Sequence, residues 1–298
     1  MNYFDLHCDT VYEALKQKCS LKSNQLHIAV DRANELENWV QTFAFWIPDA
    51  FRGEDAYNCF EKQFDYFMEQ YQNSNCFSLF QREKQRHCQA LLAVEGGAVL
   101  GGNLDHIWDL QNKGVSILTL CWNGANEIGA GADAFGGLTS FGHDVIAELE
   151  KADIIVDVSH LNEETFWDVA GVVKSPFIAT HSNAMHVCQH QRNLKDEQIR
   201  AILDCQGLIG LNFYTQFLSQ DGALGAESLK RHIEHFLQLG CENILAIGSD
   251  FDGAQMPRDI HGIESIPFLY EQLVKSFGKN QIDKIFYQNA YHFFLNRC

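Results

Sequence analysis

Short apolar runs alternate along this chain with longer stretches whose apolar residues recur every three to four positions. The runs Tyr3–Leu6, Thr42–Trp46, Ala90–Val94, Ser116–Leu120, Ile154–Val158, Phe177–Ala179, Leu208–Asn212 and Ile244–Gly248 read as strands. Helical spacing with a charged outer face marks Ala56–Tyr71, His143–Lys151, Glu163–Val173, Lys195–Cys205 and Ser228–Leu239. Eight strands interleaved with helices predict an α/β fold, a parallel (β/α)8 TIM-like barrel. A doubly wound open sheet would show the same alternation. The two differ in their strand ends, which a barrel gathers into one mouth and an open sheet spreads out.

Read for the polar residue at its C-terminal end, the alternation becomes chemically specific. The first run ends in His7 and Asp9, the third in Glu95, the fifth in His160, the sixth in His181 and the last in Asp250. Successive strand residues point to opposite faces, so His7 and Asp9 share one and Cys8 takes the other. Taken singly, each has a bland explanation: a turn neighbour for Glu95, a residue near a helix N-cap for His160, a core histidine for His181, a turn acid for Asp250. Their recurrence at equivalent positions of five units favours one shared site over coincidence.

Composition narrows what such a site can serve. The formal charge of −17 disfavours nucleic acid and anionic membranes, whose phosphates need clustered Lys and Arg. The 298 residues contain 46% hydrophobic positions and only four Pro, with nothing resembling a linker, so a single domain over 1–298 is expected. No window holds about 18 uninterrupted apolar residues, and no signal-like leader precedes the first strand. The run Phe294-Leu-Asn-Arg-Cys298 carries neither an apolar tail nor a prenylation box. A cytoplasmic protein is therefore expected. Its ten cysteines, scattered and without a Cys-x-x-Cys pair, read as reduced thiols.

Imidazoles and carboxylates in this mixture suit Zn²⁺ and similar divalent ions, and a carboxylate can bridge two of them. Water held between two cations loses its proton near neutral pH, and a further carboxylate is then needed to move protons. Asp250, on the last strand, is the candidate for that task.

The segments Asp5-Leu-His-Cys-Asp-Thr10, Val94-Glu-Gly-Gly97, Asp157-Val-Ser-His160, Thr180-His-Ser182, Arg192-Asn193, Asn212-Phe-Tyr214 and Gly248-Ser-Asp-Phe-Asp-Gly253 occur in this order along nearly the whole chain. Together they resemble the renal (membrane) dipeptidase family of zinc peptidases, within the amidohydrolase superfamily. The resemblance implies two divalent ions, Zn²⁺ first among them: His7 and Asp9 would hold one, His160 and His181 the other, with Glu95 bridging. It makes Asp250 the catalytic acid/base and Arg192, eleven residues after His181, the partner of the substrate's free C-terminal carboxylate. A guanidinium fork matches a carboxylate in two hydrogen bonds. Trp122 and Tyr214 would also face the substrate. The implied reaction is hydrolysis of dipeptides, with D-residues tolerated at the second position, by a protein compatible with a homodimer.

The chain departs from the family at one point that bears on chemistry. Trp122 stands where eukaryotic members place a histidine in the loop after the fourth strand; an indole N–H donates a hydrogen bond but carries no charge. Asn123 and Asn126 follow it in a polar loop over the mouth. His186 and His190, four apart, are read as decorating the loop that leads to Arg192. Asp252 is assigned support, and Asp157 a hydrogen bond that orients a ligand imidazole. The rival reading is another amidohydrolase activity at the same metals, on an N-acyl amino acid, β-lactam, lactone or cyclic amide. A non-enzymatic scaffold would be expected to lack a ligand.

Overall fold

In a computed structural model, which describes all residues except 82–85, 223–224 and 297–298, the strands form one parallel sheet that curls into a barrel. Arg297 and Cys298, part of the C-terminal reading, thus lie outside the described residues. The strands are β1 (Asn2–Cys8), β2 (Asn38–Trp46), β3 (Phe77–Leu79), β4 (Cys88–Glu95), β5 (Val115–Thr119), β6 (Ile155–Asp157), β7 (Ile209–Leu211) and β8 (Leu245–Ile247). Their order is β6-β5-β4-β2-β1-β8-β7, with β3 added beside the start of β4. Between β6 and β7 lies the predicted sixth run, joined to each by a single parallel bridge, Asp157–Ile178 on one side and Ala179–Ile209 on the other. The ring therefore follows all eight predicted runs, and the open-sheet alternative is set aside.

Side chains alternate across this wall because consecutive strand residues face opposite ways. Phe4, Leu6, Val40, Ala44, Leu91, Ala93, Ile117, Ile155, Ile178, Leu208 and Ala246 form one apolar cluster. The intervening Phe43, Phe45, Leu92, Val94, Leu118, Val156 and Ile247 belong to a second, larger one that includes the helices. The first fills the barrel and the second glues helices to its outside. Aromatic rings do much of the outer packing, as where Phe45 meets Phe60 and Phe67 of α2 edge-on at 5.4 and 5.9 Å.

The predicted helices appear as α2 (Gly53–Asn73), α4 (Ser140–Lys151), α5 (Glu163–Val172), α6 (Asp196–Asp204) and α8 (Gly225–Gln238). Two have side-chain caps: Thr139 accepts from Gly142 N at 2.9 Å and Asn162 from Thr165 N at 2.8 Å. The periodic pattern did not single out α1 (Thr10–Gln17), α3 (Asp105–Asn112), the one-turn α7 (Thr215–Leu218), α9 (Ile266–Phe277), α10 (Lys279–Asp283) or α11 (Asn289–Leu295). Of these, α11 closes the barrel floor, its Phe294 stacking on Phe4 at 5.5 Å. Among the described residues there is no disulfide, and no helix is long and apolar enough to cross a membrane.

Candidate active site

Strand β1 runs two residues beyond its predicted end, and the pairing with β2 slips between Asp5 and Cys8. That bulge breaks the alternation: Phe4 and Leu6 point into the barrel, yet His7 and Asp9 also reach its mouth, while Cys8 joins the outer packing. The slip is pinned by Asp5, whose Oδ1 accepts from His7 N at 3.2 Å and Ser249 N at 2.8 Å. At two other strand ends, His160 (φ 71°) and Asp250 (φ 62°) adopt the left-handed backbone that non-glycine residues seldom take. Strain of this kind persists where the surroundings over-determine it, and here it re-aims two side chains at one point.

The result is a cluster around Glu95. Its Oε1 lies 2.8 Å from His160 Nε2, 3.5 Å from His181 Nε2 and 3.7 Å from His7 Nε2, and Asp9 Oδ2 is 3.5 Å from His7 Nε2. His160 and His181 bring their Nε2 atoms to 2.8 Å. His7, Asp9 and Asp250 also present donor atoms to a common point. All are buried except Asp250, which is partly exposed.

The hydrogen-bond partners set the imidazole tautomers. Asp157 Oδ2 accepts from Thr119 Oγ1 at 2.6 Å and from Thr180 Oγ1 at 2.7 Å. Thr180 Oγ1, its proton so committed, accepts from His181 Nδ1 at 2.8 Å, which leaves a lone pair on His181 Nε2. His160 Nδ1 likewise donates to Asn123 Oδ1 at 2.8 Å, so its Nε2 is bare. His160 Nε2, His181 Nε2 and Glu95 Oε1 lie within 3.5 Å of one another, three electron-pair donors drawn together, and the Arg192 guanidinium, 3.1 Å from His181 Nε2, offsets part of their repulsion. His7 Nε2 and Asp9 Oδ1 are buried with no hydrogen-bond partner. An unpartnered carboxylate oxygen on Asp9 beside the Glu95 carboxyl and three imidazoles is the donor set a divalent ion takes, so these residues fit one.

Titration of these groups reflects the same crowding. Burial, with repulsion from Asp9, pushes the Glu95 carboxyl well above its usual range. Burial drives His160 and His181 well down, keeping them neutral. For His7 burial acts the same way, but the carboxylates of Glu95, Asp9 and Asp250 outweigh it and lift the imidazole to about 10. Asp250 rises to about 6, chiefly from burial, against the opposing pull of His7 and a 3.0 Å hydrogen bond from Asn212 Nδ2.

The cluster floors a cavity of about 750 Å³. Arg192 enters it from the loop after His181, 7% exposed, with Nη2 donating to His181 Nε2 at 3.1 Å and its guanidinium 5.4 Å above the Phe217 ring. Its Nε has no partner, and burial lowers its pKa to about 10. Trp122 also lines the cavity, edge-on to Trp46 at 4.9 Å; Tyr12 extends that wall and Tyr214, packed on Phe217 at 4.7 Å, faces it. All nine residues singled out in the sequence therefore reach one mouth. Asp252 also borders the cavity, but its carboxylate accepts from His27 N at 2.7 Å and Thr10 Oγ1 at 2.6 Å, holding the His27 segment against α1. His190 reaches the rim, whereas His186 turns away from the cavity.

Several contributors escaped the sequence reading. Asn212 ends its strand as the ligands do, so the strand-end rule could have found its contact with Asp250. Thr180 and Trp46 had no such signal, because a threonine before a histidine and a tryptophan in an apolar run look like core.

A sequence model of the membrane dipeptidase family (peptidase family M19) matches residues 1–295. The chain belongs to the membrane dipeptidase family. It is accordingly a metal-dependent hydrolase. An uncharacterised protein from the pqqA 5′ region of Klebsiella pneumoniae is 35% identical over 231 residues, spanning 72% of this chain and 85% of that one. A metallopeptidase from Rhodobacter sphaeroides, solved with a phosphinate mimic of the dipeptide L-Ala-D-Ala, superposes with a TM-score of 0.91 at 26% identity over 100% of this chain and 99% of its own. A second family member, dipeptidase AC, superposes at 0.90 with 27% identity, covering 98% and 97%.

Proposed function

We propose that this family member is a binuclear zinc dipeptidase, a single-barrel enzyme that hydrolyses dipeptides with a free C-terminal carboxylate and accepts a D-residue in the second position. The observation that carries this reading is the buried Arg192, with an unpartnered Nε, beside a set of imidazoles and carboxylates that fits divalent ions. In it His7 and Asp9 would hold one ion and His160 and His181 the other, with Glu95 shared between them. When bound, such ions polarise a carbonyl and acidify a water near neutral pH. Trp122 is neutral where a charged imidazole would add to that polarisation, so its indole contributes a hydrogen bond and an apolar wall.

The chain's own residues then divide the remaining work. Arg192 grips the terminal carboxylate, which sets the scissile bond one residue upstream and leaves no room for a longer chain to continue. Asp250, with a pKa of about 6, is ionised at neutral pH yet basic enough to take the water's proton. Asn212, bonded to Asp250 Oδ2, keeps that carboxylate aimed, and the same proton passes to the leaving amine nitrogen. Trp122, Tyr214 and Phe217 wall the substrate off from bulk water. Because Arg192 holds the carboxylate and not the second side chain, inverting that α-carbon redirects the side chain toward the open mouth without releasing the grip.

The test is a panel of L,L and L,D dipeptides and their C-terminal amides, offered to zinc-loaded wild type and Arg192→Ala. Hydrolysis of the free acids of both configurations, with KM raised at least tenfold by Arg192→Ala and amides poorly cut by both, is the expected pattern. If the panel is untouched while a lactone, β-lactam, cyclic amide or N-acyl amino acid is hydrolysed, the chain is a different amidohydrolase and the reading fails.

A further inference from the structure

Three residues far apart in sequence meet outside the mouth. His235, in the last turn of α8, sets its Nε2 2.7 Å from Oδ1 of Asp196, the first residue of α6, and only 8% of His235 is exposed. The exposed His186, from the loop between His181 and Arg192, lays its ring parallel to His235, with centroids 4.4 Å apart and planes 4° from coincidence. One donor atom from each of the three lies within 4.8 Å of the others. None of the three lines the mouth cavity.

An aspartate–histidine ion pair accounts for two of these residues and not for the third. A second imidazole stacked face to face on the first gains nothing from the pair if both rings are protonated, since two cations then overlap. Two neutral imidazoles and a carboxylate are, by contrast, a donor set for borderline-soft divalent ions. Metal–nitrogen bonds of about 2.0–2.1 Å in a tetrahedron place donor atoms about 3.3 Å apart, so His235 Nε2 and Asp196 Oδ1 must part slightly from 2.7 Å while His186 tilts out of the stack toward them. His186 is free to do so, being exposed and on a loop. His232, one turn before His235, does not compete, because Ala184 N donates to its Nδ1 at 3.2 Å and its Nε2 bonds Leu218 O at 3.0 Å. Those bonds instead anchor the start of the His186 loop against α8.

We infer that His186, Asp196 and His235 form an additional site for one divalent transition ion of the zinc class, with a fourth position open to water. Such an ion fastens the loop that carries Arg192 to α6 and α8 from outside the barrel. The site stands on its own residues and does not depend on what the mouth hydrolyses.

Full-length protein is stripped with chelator and titrated with Zn²⁺ against a chromophoric competitor, with bound metal counted by atomic emission. Wild type is expected to bind one equivalent more than His186→Ala, and Asp196→Asn to weaken that equivalent at least tenfold. Zinc should raise the melting temperature of wild type more than that of either variant. Cobalt gives an independent reading, since the visible absorption of one tetrahedral ion should be present in wild type and missing from His186→Ala. His186 is exposed, so its alanine variant keeps the fold, and the circular dichroism of the variants checks this. Equal metal counts and equal affinities in wild type and His186→Ala would overturn the inference. A mouth that binds no zinc would defeat the binuclear reading yet leave the difference between wild type and His186→Ala intact, so the two failures are distinguishable.

Discussion

At the scale of single residues, the mouth depends on side chains whose work is to orient the imidazoles. Asp157 accepts from Thr180 and thereby leaves a lone pair on His181 Nε2; Asn123 does the same for His160 directly. Partners of this kind typically set metal affinity within a factor of ten to a hundred. Asp157→Asn should therefore weaken zinc binding about 10–100-fold, measurable by chelator competition, while zinc in excess restores most of the turnover. Asp250→Asn should behave oppositely: metal content unchanged, kcat for a dipeptide lower by about 10²–10⁴-fold. A variant that lost its zinc along with its activity would make Asp250 a structural ligand instead.

At the scale of elements, three irregular strand ends build the site. The slip in β1 turns His7 inward, and left-handed residues end the strands at His160 and Asp250. These features have no mark in a hydrophobic pattern, which reports faces and lengths but not a single extra residue or a φ angle. The close approach beneath them has one, in glycines: a Cβ on Gly210 or Gly248 would lie 1.8 or 1.7 Å from Thr180 O. Gly210→Ala should thus force the Thr180 segment away from β7, destabilise the fold by about 1–3 kcal/mol or more, and disturb His181. Thermal melting together with zinc affinity would register both effects. A melting temperature within a degree of wild type would show that the barrel yields there without cost.

At the scale of the whole molecule, stability follows protons and metal. Burial holds the His232 imidazole down to about 4, against 6.5 when unfolded. Between those values the unfolded chain binds a proton that the folded chain refuses. Stability from this group is therefore intact above pH 6.5, falls as pH drops toward 4, and levels off below it, a loss of about 3 kcal/mol. Urea unfolding at pH 7.5 and 4.5 should show a smaller acid-induced loss in His232→Gln than in wild type; equal losses would assign the acid sensitivity elsewhere. Metal acts by mass action, since ions that bind only the folded state stabilise it. Chelation should lower the melting temperature, and zinc should restore it together with hydrolysis.

By itself the sequence determined a parallel α/β fold, because eight short apolar runs with intervening helices admit few foldings; it pointed to the barrel and to the ligand types because five of those runs end in a group with metal chemistry. It also held the family resemblance that the match over residues 1–295 bears out. Helices such as α1 and α11 were not legible, since short segments with mixed faces owe their helicity to what they pack against. Only the tertiary structure decided which donors meet at Glu95, which nitrogen of each imidazole is bare, and that His186, Asp196 and His235 gather outside the mouth. Apart from the bond between the neighbours Thr180 and His181, those are distances and hydrogen bonds between residues 10 or more positions apart in the chain, and no local pattern encodes them.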